Sequence, residues 1–215
     1  LAFAYLDDGD EVSALHILHQ ALNKFPDEVI FPHTIANIYY QSKNYYEAEK
    51  YFLTALDVNP KVSSIQHTMA IMFEDMADTD RSDSLFLYLI EKNENDAIGL
   101  NDYAYIISER KESSSDDLHY ALELAGRAIS IEPDNAAFLD TYGWIYYKLG
   151  TYEKAEEILK KSLSVNNNNP VILEHLGDIY VKMNKTIEAI NIYEQLLEKD
   201  SNNQLIRNKL DKIND

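Results

Sequence analysis

The chain has 215 residues, 46% of them apolar, and its 37 acidic against 19 basic residues leave a net charge of −18. That apolar content excludes general disorder, and so negative a chain is a poor match for nucleic acid or an anionic membrane surface, which are held mainly through Lys and Arg. The absence of cysteine excludes a disulfide framework, a thiolate zinc site and a cysteine nucleophile; it is compatible with both the cytoplasm and the periplasm or cell envelope. Only 6 Gly and 5 Pro suit helices joined by short loops better than an all-β chain. No run of 18 or more apolar residues occurs, so direct membrane insertion is not expected.

Residues 1–28 read as a partial helical hairpin, with Gly9 where its first helix, A, must stop before the second, B. The start of that helix A is missing. Leu1, Phe3 and Tyr5 are therefore expected to stand partly uncovered at an open end, suited to upstream repeats, a partner or a second copy. A complete hairpin fills residues 29–62. Residues 63–96 form a degenerate one, with a strongly polar turn over 78–83 that is expected to loosen it. Residues 97–135 carry five extra residues around 113–117, read as a loop insertion with Asp116 or Asp117 capping the next helix. Residues 136–169 turn at Gly150, and Ala155, Ile158, Leu159 and Leu163 share one face of helix B before a polar linker at 166–169. Asn169 followed by Pro170 reads as an N-cap and first helical position opening residues 170–203. Residues 204–215 form a closing helix: Leu205, Ile206, Leu210 and Ile213 would cover the last hairpin, while Arg207, Asn208, Lys209, Asp211 and Lys212 would stay wet.

One register unites these segments. A small residue recurs at Ala2, Ala36, Ala70, Ala104, Gly143 and Gly177. A large one follows three places later, at Tyr5, Tyr39, Phe73, Ile107, Tyr146 and Tyr180. A second small residue sits at Ala14, Ala48, Ser82, Ala121, Ala155 and Ala189, and Pro26, Pro60 and Pro133 close three units. The spacing is 34 residues except across the insertion. Small residues allow helices A and B to approach, and large ones fill the groove between neighbours.

This pattern resembles the tetratricopeptide repeat family over nearly the whole chain, and the last units resemble bacterial members of undescribed role. The resemblance implies an all-α fold: a right-handed superhelical solenoid of antiparallel helix pairs, about six repeats plus a C-terminal capping helix, residues 1–215 forming a single domain. Ser82, Leu89 and Glu94 depart from the family's Ala, Ala and Pro. The resemblance further implies that helix A lines a concave wall holding an extended peptide or a partner's helix. By register, that wall carries Asn37, Tyr40, Ile71, Asp75, Tyr105, Glu109, Asp140, Trp144, Tyr147 and Asp178. Aromatic residues with an acidic rim suit a neutral or basic protein partner. A purely structural array with no ligand is the alternative reading. Family members that hold the acidic tails of heat-shock chaperones use Lys, Arg and Asn on helix A; here the matching places are His33, Asn37, Thr68, Ile98 and Asp102, and only Asn37 fits.

No catalytic, cofactor or metal site is expected. His16 and His19, three apart, are the nearest to a metal pair but lack a third ligand. His33 and His67 hold the same place in adjacent units and are expected side by side as a pH-sensitive contact. His119 and His175 have no suggestive neighbours in the sequence. Neither a Gly-rich phosphate loop nor a nucleophile elbow is present. Asn184, Lys185 and Thr186 match a glycosylation acceptor, a short and common pattern.

Overall fold

A computed structural model describes residues 1–166 and 168–214; Asn167, within the 166–169 linker, and Asp215 lie outside the described residues. The chain divides into two compact units, Leu1–Asn93 and Glu94–Asp215. The first holds three helical pairs: α1 (Ala2–Asp7) with α2 (Glu11–Lys24), α3 (Ile30–Gln41) with α4 (Tyr45–Val58), and α5 (Ser63–Asp75) with α6 (Thr79–Lys92). The second holds α7 (Ala97–Glu109) with α8 (Ser115–Ile131), α9 (Ala136–Lys148) with α10 (Tyr152–Val165), α11 (Pro170–Lys182) with α12 (Thr186–Lys199), and then α13 (Gln204–Asn214). The fold is all-α throughout the described residues.

The turn inside each pair follows from a few residues. The residue after the end of helix A is left-handed at Gly9, Lys43, Ala77, Gly150 and Asn184, with φ of 77°, 59°, 58°, 75° and 58°. The next N–H then reaches back to the carbonyl of the large residue, as from Asp10 to Tyr5 at 2.8 Å, Asn44 to Tyr39 at 2.8 Å and Asp78 to Phe73 at 2.9 Å. The side chains of Asp10, Asn44 and Asp78 meanwhile accept the N–H of Ser13, Glu47 and Arg81. One residue thus ends helix A through its backbone and starts helix B through its side chain.

The insertion breaks this device. The segment between helices is five residues long there against three in α3/α4, and α8 has 17 residues against 14 in α4, so three of the five extra residues lengthen the helix. The cap is Ser114, not Asp116 or Asp117. Its hydroxyl accepts the Asp117 N–H, and the Asp117 carboxylate accepts the Ser114 N–H at 2.8 Å, so two otherwise unpaired donors are satisfied reciprocally. Ser115 is already helical.

Packing follows the small-residue register. Ala36, Ala48, Ala70, Ala104, Ala121, Ala155 and Ala189 are all fully buried. In the later pairs glycine brings the helices closer still. A β-carbon on Gly143 would lie 2.9 Å from Leu159 Cδ2, and one on Gly177 would lie 2.5 Å from Tyr193 Cε1. In Leu1–Asn93 one cluster centres on Phe52, Ile65 and Met72, another on Leu18, Ile35 and Ile38. In Glu94–Asp215 a core of Leu159, Ile172, Ile179 and Tyr193 extends to Ile206 of α13, with Leu210 and Ile213 packed against it.

Three expectations are corrected. Most of the polar stretch at 78–83 is the first turn of α6 rather than a loose turn. Asp78 caps it, and Arg81 pairs with Asp78 at 2.6 Å and Glu49 at 2.8 Å while lying 4.1 Å over the Phe73 ring. Leu205 is exposed, because Ile206 takes the inward face of α13. Lys209 is turned inward instead of kept wet: it bridges Glu174 at 2.6 Å and Asp178 at 2.7 Å.

Two glycines on opposite sides of this packing give opposite outcomes. Gly126 on α8 has its nearest neighbour, Tyr142 Cε2, 3.7 Å from an added β-carbon. Gly126→Ala should therefore stabilise by about 0.5–1 kcal/mol through helix propensity. Gly177→Ala should instead destabilise by about 1–3 kcal/mol, because the Tyr193 ring, fixed by its hydroxyl bond to Asp178, cannot yield cheaply. Denaturant titration followed by the fluorescence of the single tryptophan, Trp144, reads both. Ser82 is fully buried with its hydroxyl unpaired. Ser82→Ala should raise stability by about 1 kcal/mol, measured as protection from hydrogen exchange in α5 and α6.

Candidate functional site

The helix-A residues singled out from sequence divide between the two units. In Leu1–Asn93, Asn37 and Tyr40 lie on α3, Ile71 and Asp75 on α5. Asn37, Tyr40 and Ile71 are half-buried and Asp75 is exposed. The Tyr40 hydroxyl donates to Asp75 Oδ2 at 2.6 Å, a bond across successive helices A. Burial, then this carboxylate, pushes the Tyr40 phenol well above the usual tyrosine range.

In Glu94–Asp215, α7 carries Tyr105 and Glu109, α9 carries Asp140, Trp144 and Tyr147, and α11 carries Asp178. Trp144 organises this group. Its indole stacks on Tyr147 with ring centroids 4.5 Å apart and on His175 at 4.1 Å. Its Nε1 donates to Glu109 Oε1 at 2.6 Å. Lys148 pairs with the same carboxylate at 3.0 Å and lies 5.3 Å over the indole. Asp140 Oδ1 is 2.9 Å from His175 Nδ1. Asp178 is engaged through both oxygens, accepting from Tyr193 at 2.6 Å and from Lys209 at 2.7 Å. Burial, and next the Asp178 charge, raises the Tyr147 phenol. Burial alone would lower the Lys209 ammonium, but Asp178 and Glu174 outweigh it and hold the group charged.

His175 is the residue the sequence reading missed. Far from lacking neighbours, it is stacked and hydrogen-bonded between two candidate residues. A signal for it exists. Tyr40 and Asp75, Glu109 and Trp144, Asp140 and His175, and Glu174 and Lys209 are each joined across 35 residues. In uninterrupted repeats that is the 34-residue period plus one. At Glu109 and Trp144, which span the insertion, it is a helical turn short of the equivalent place.

Tyr105, 44% exposed, is the most open of the aromatics here. Its phenol is raised by burial and then by the charges of Glu109 and Asp140. The carboxylates of Glu109, Asp140, Glu174 and Asp178 are opposed by Lys148 and Lys209, so the helix-A side of these repeats stays negative when His175 is neutral.

The other histidines find partners of a different kind. His33 lies 6.2 Å from Phe52 and His67 6.5 Å from Phe86, each ring meeting an aromatic on helix B of its own pair. His16 bonds with Gln20 and His19 tilts against Tyr51 at 5.4 Å. Among the described residues no group of three His, Asp or Glu side chains is placed to hold a metal ion.

Comparison with known proteins places the pattern. The family described as "Tetratricopeptide repeat" matches residues 33–62, the α3/α4 pair, and the one described as "Anaphase-promoting complex, cyclosome, subunit 3" matches residues 114–196. The chain carries tetratricopeptide repeats. It is 27% identical over 101 residues to a tetratricopeptide repeat-containing protein of Pseudomonas aeruginosa, across 47% of this chain and 16% of that one. The aligned part is thus about a sixth of that relative's length. Its fold is similar to a thermophilic tetratricopeptide-repeat protein of Thermus thermophilus, with TM-score 0.72 at 21% identity over 86% of this chain and 98% of that one. It is also similar to PilW, a type IV pilus biogenesis factor, with TM-score 0.79 at 16% identity over 97% and 94%. Tetratricopeptide repeats are a general protein–protein interaction module.

Burial holds the His33 and His19 imidazoles below their ordinary value. A histidine whose folded pKa is depressed contributes fully above its unfolded pKa of about 6.5, and that contribution is lost as pH falls through 6.5 toward the folded value. Hydrogen-exchange protection in Leu1–Asn93 should therefore fall between pH 7.5 and 5.5, and His33→Gln should flatten the dependence.

Proposed function

We propose that this tetratricopeptide-repeat protein is a binding scaffold without catalytic activity, and that the helix-A face of Glu94–Asp215 holds a neutral or basic segment of a partner protein. The observation that carries the reading is the exposed Tyr105 on α7, one turn from the Glu109 that holds the stacked Trp144 indole, with its phenol raised by burial and then by the charges of Glu109 and Asp140. Aromatic area that loses little conformational entropy on binding, ringed by polar groups, is how interface hot spots are built. The negative field speeds encounter with a basic segment. In Leu1–Asn93 the same register offers Tyr40 and Asp75, bonded to one another.

A structural array remains the second reading, because Trp144 and Asp178 already have partners within the chain. Self-association is a third, motivated by the exposure of Leu1, Phe3 and Val12 in the first pair. Tyr105→Ala separates these readings. With Tyr105 44% exposed, the substitution should cost no more than about 1 kcal/mol of stability. On the binding reading it should weaken capture of a partner from native cell extract by about tenfold or more. Capture of nothing by either form would count for the structural reading, unchanged capture by Tyr105→Ala would place the binding away from this face, and a concentration-dependent mass in light scattering would count for self-association.

A further inference from the structure

The kind of group this face takes hold of can be read from what it leaves unmet, granting the binding reading above. Tyr105 stands on α7 with Asn101 one turn before it and Glu109 one turn after. Asn101 is only 8% exposed, and its Oδ1 is buried with no hydrogen-bond partner, while its amide nitrogen makes a long 3.4 Å contact with Asp102. Glu109 spends Oε1 on both Trp144 and Lys148. Asp140, on the next helix A, spends Oδ1 on His175. The second oxygen of each carboxylate has no protein partner among the described residues. Tyr105 and Glu109 lie one turn apart on α7, Asp140 and Trp144 one turn apart on α9, and the 2.6 Å bond from Trp144 to Glu109 joins the two helices.

Every unmet demand here is of one kind. There are two carboxylate oxygens, a buried amide oxygen and an aromatic face, and all of them want a donor or a positive charge. The cations at hand are tied: Lys148 to Glu109, and Lys209 to Glu174 and Asp178. A flat, permanently charged group with several donors in one plane fits better than a compact ammonium, because it can lie on a ring while bonding sideways to two carboxylates.

We propose that the surface bounded by Tyr105, Glu109, Asp140 and Trp144 receives an arginine side chain of the partner protein, its guanidinium lying on Tyr105 and donating to both carboxylates. The arginine anchors the partner segment, and Trp144 and Tyr147 supply apolar contact beside it.

The test is a random peptide library displayed against the full chain, followed by affinity measurement through Trp144 fluorescence. Selected peptides should carry arginine at a shared position. Replacing that arginine by citrulline, which keeps the shape and removes the charge, should weaken binding about tenfold or more, and lysine should weaken it severalfold. Glu109→Gln with Asp140→Asn should weaken the arginine peptide by a similar factor and erase its advantage over citrulline. Should that double variant melt early, Tyr105→Leu carries the same test from the exposed side. Peptides that lack arginine, or that bind equally well with lysine in its place, yet depend on Tyr105 and Trp144, would overturn the arginine anchor and leave the binding reading standing. A library that yields no peptide, or only peptides indifferent to all these substitutions, would overturn both.

Discussion

A β-carbon at Gly177 would lie 2.5 Å from the Tyr193 ring, which measures how tightly helices A and B of one pair are pressed together. Gly143 serves α9/α10 in the same way, and Ala36, Ala70 and Ala104 do so in the three pairs before it, each exposing no surface at all. Two helices that close leave a shallow groove too apolar to face water, and only the next pair can cover it. The turn is subject to the same demand. A left-handed residue ends helix A in five of the six pairs, and in three of them the residue after it, Asp10, Asn44 or Asp78, also caps helix B through its side chain. The exception is the pair with the insertion, which replaces that turn with a capping box and an extra stretch of helix.

Close stacking also explains the electrostatics. Within each unit side chains 35 residues apart come near enough to bond: Tyr40 with Asp75 in Leu1–Asn93, and Glu109 with Trp144, Asp140 with His175 and Glu174 with Lys209 in Glu94–Asp215. These carboxylates thereby acquire at least one partner. Where both oxygens are engaged, as at Asp178, the residue acts as a strut between α11, α12 and α13. Where one oxygen is left over, as at Glu109 and Asp140, the face keeps an attraction for positive charge. Position along a repeat and the number of available partners separate binding candidates from struts, although both are acidic residues on the same helical row.

Much of this was legible in the sequence because the repeat constrains it one residue at a time. The small and large rows, the stops at Gly9 and Gly150 and the cap at Asn169 with Pro170 are each dictated by local geometry, and local geometry is what single residues report. Contacts between repeats were harder to read. His175 has nothing suggestive beside it in the sequence; its meaning comes from Trp144 and Asp140 on the previous helix A. Lys209 resembles an ordinary exposed lysine of a terminal helix until α13 turns it onto Glu174 and Asp178. Ser114 lost the capping assignment to its acidic neighbours because the number of inserted residues joining the helix depends on where α8 can first pack.

The proposed binding requires the surroundings of Trp144 to attract cations, and ionic quenching of the chain's single tryptophan tests this. Caesium and iodide quench by collision and carry opposite charge, so their relative efficiency reports the local field. Each measured against its own quenching of a free neutral indole, caesium should be favoured over iodide at Trp144 at low ionic strength, the preference should shrink as sodium chloride screens the carboxylates, and Glu109→Gln with Asp140→Asn should narrow it. Equal referenced quenching by the two ions, or a preference for iodide, would contradict an attraction of cations to this face.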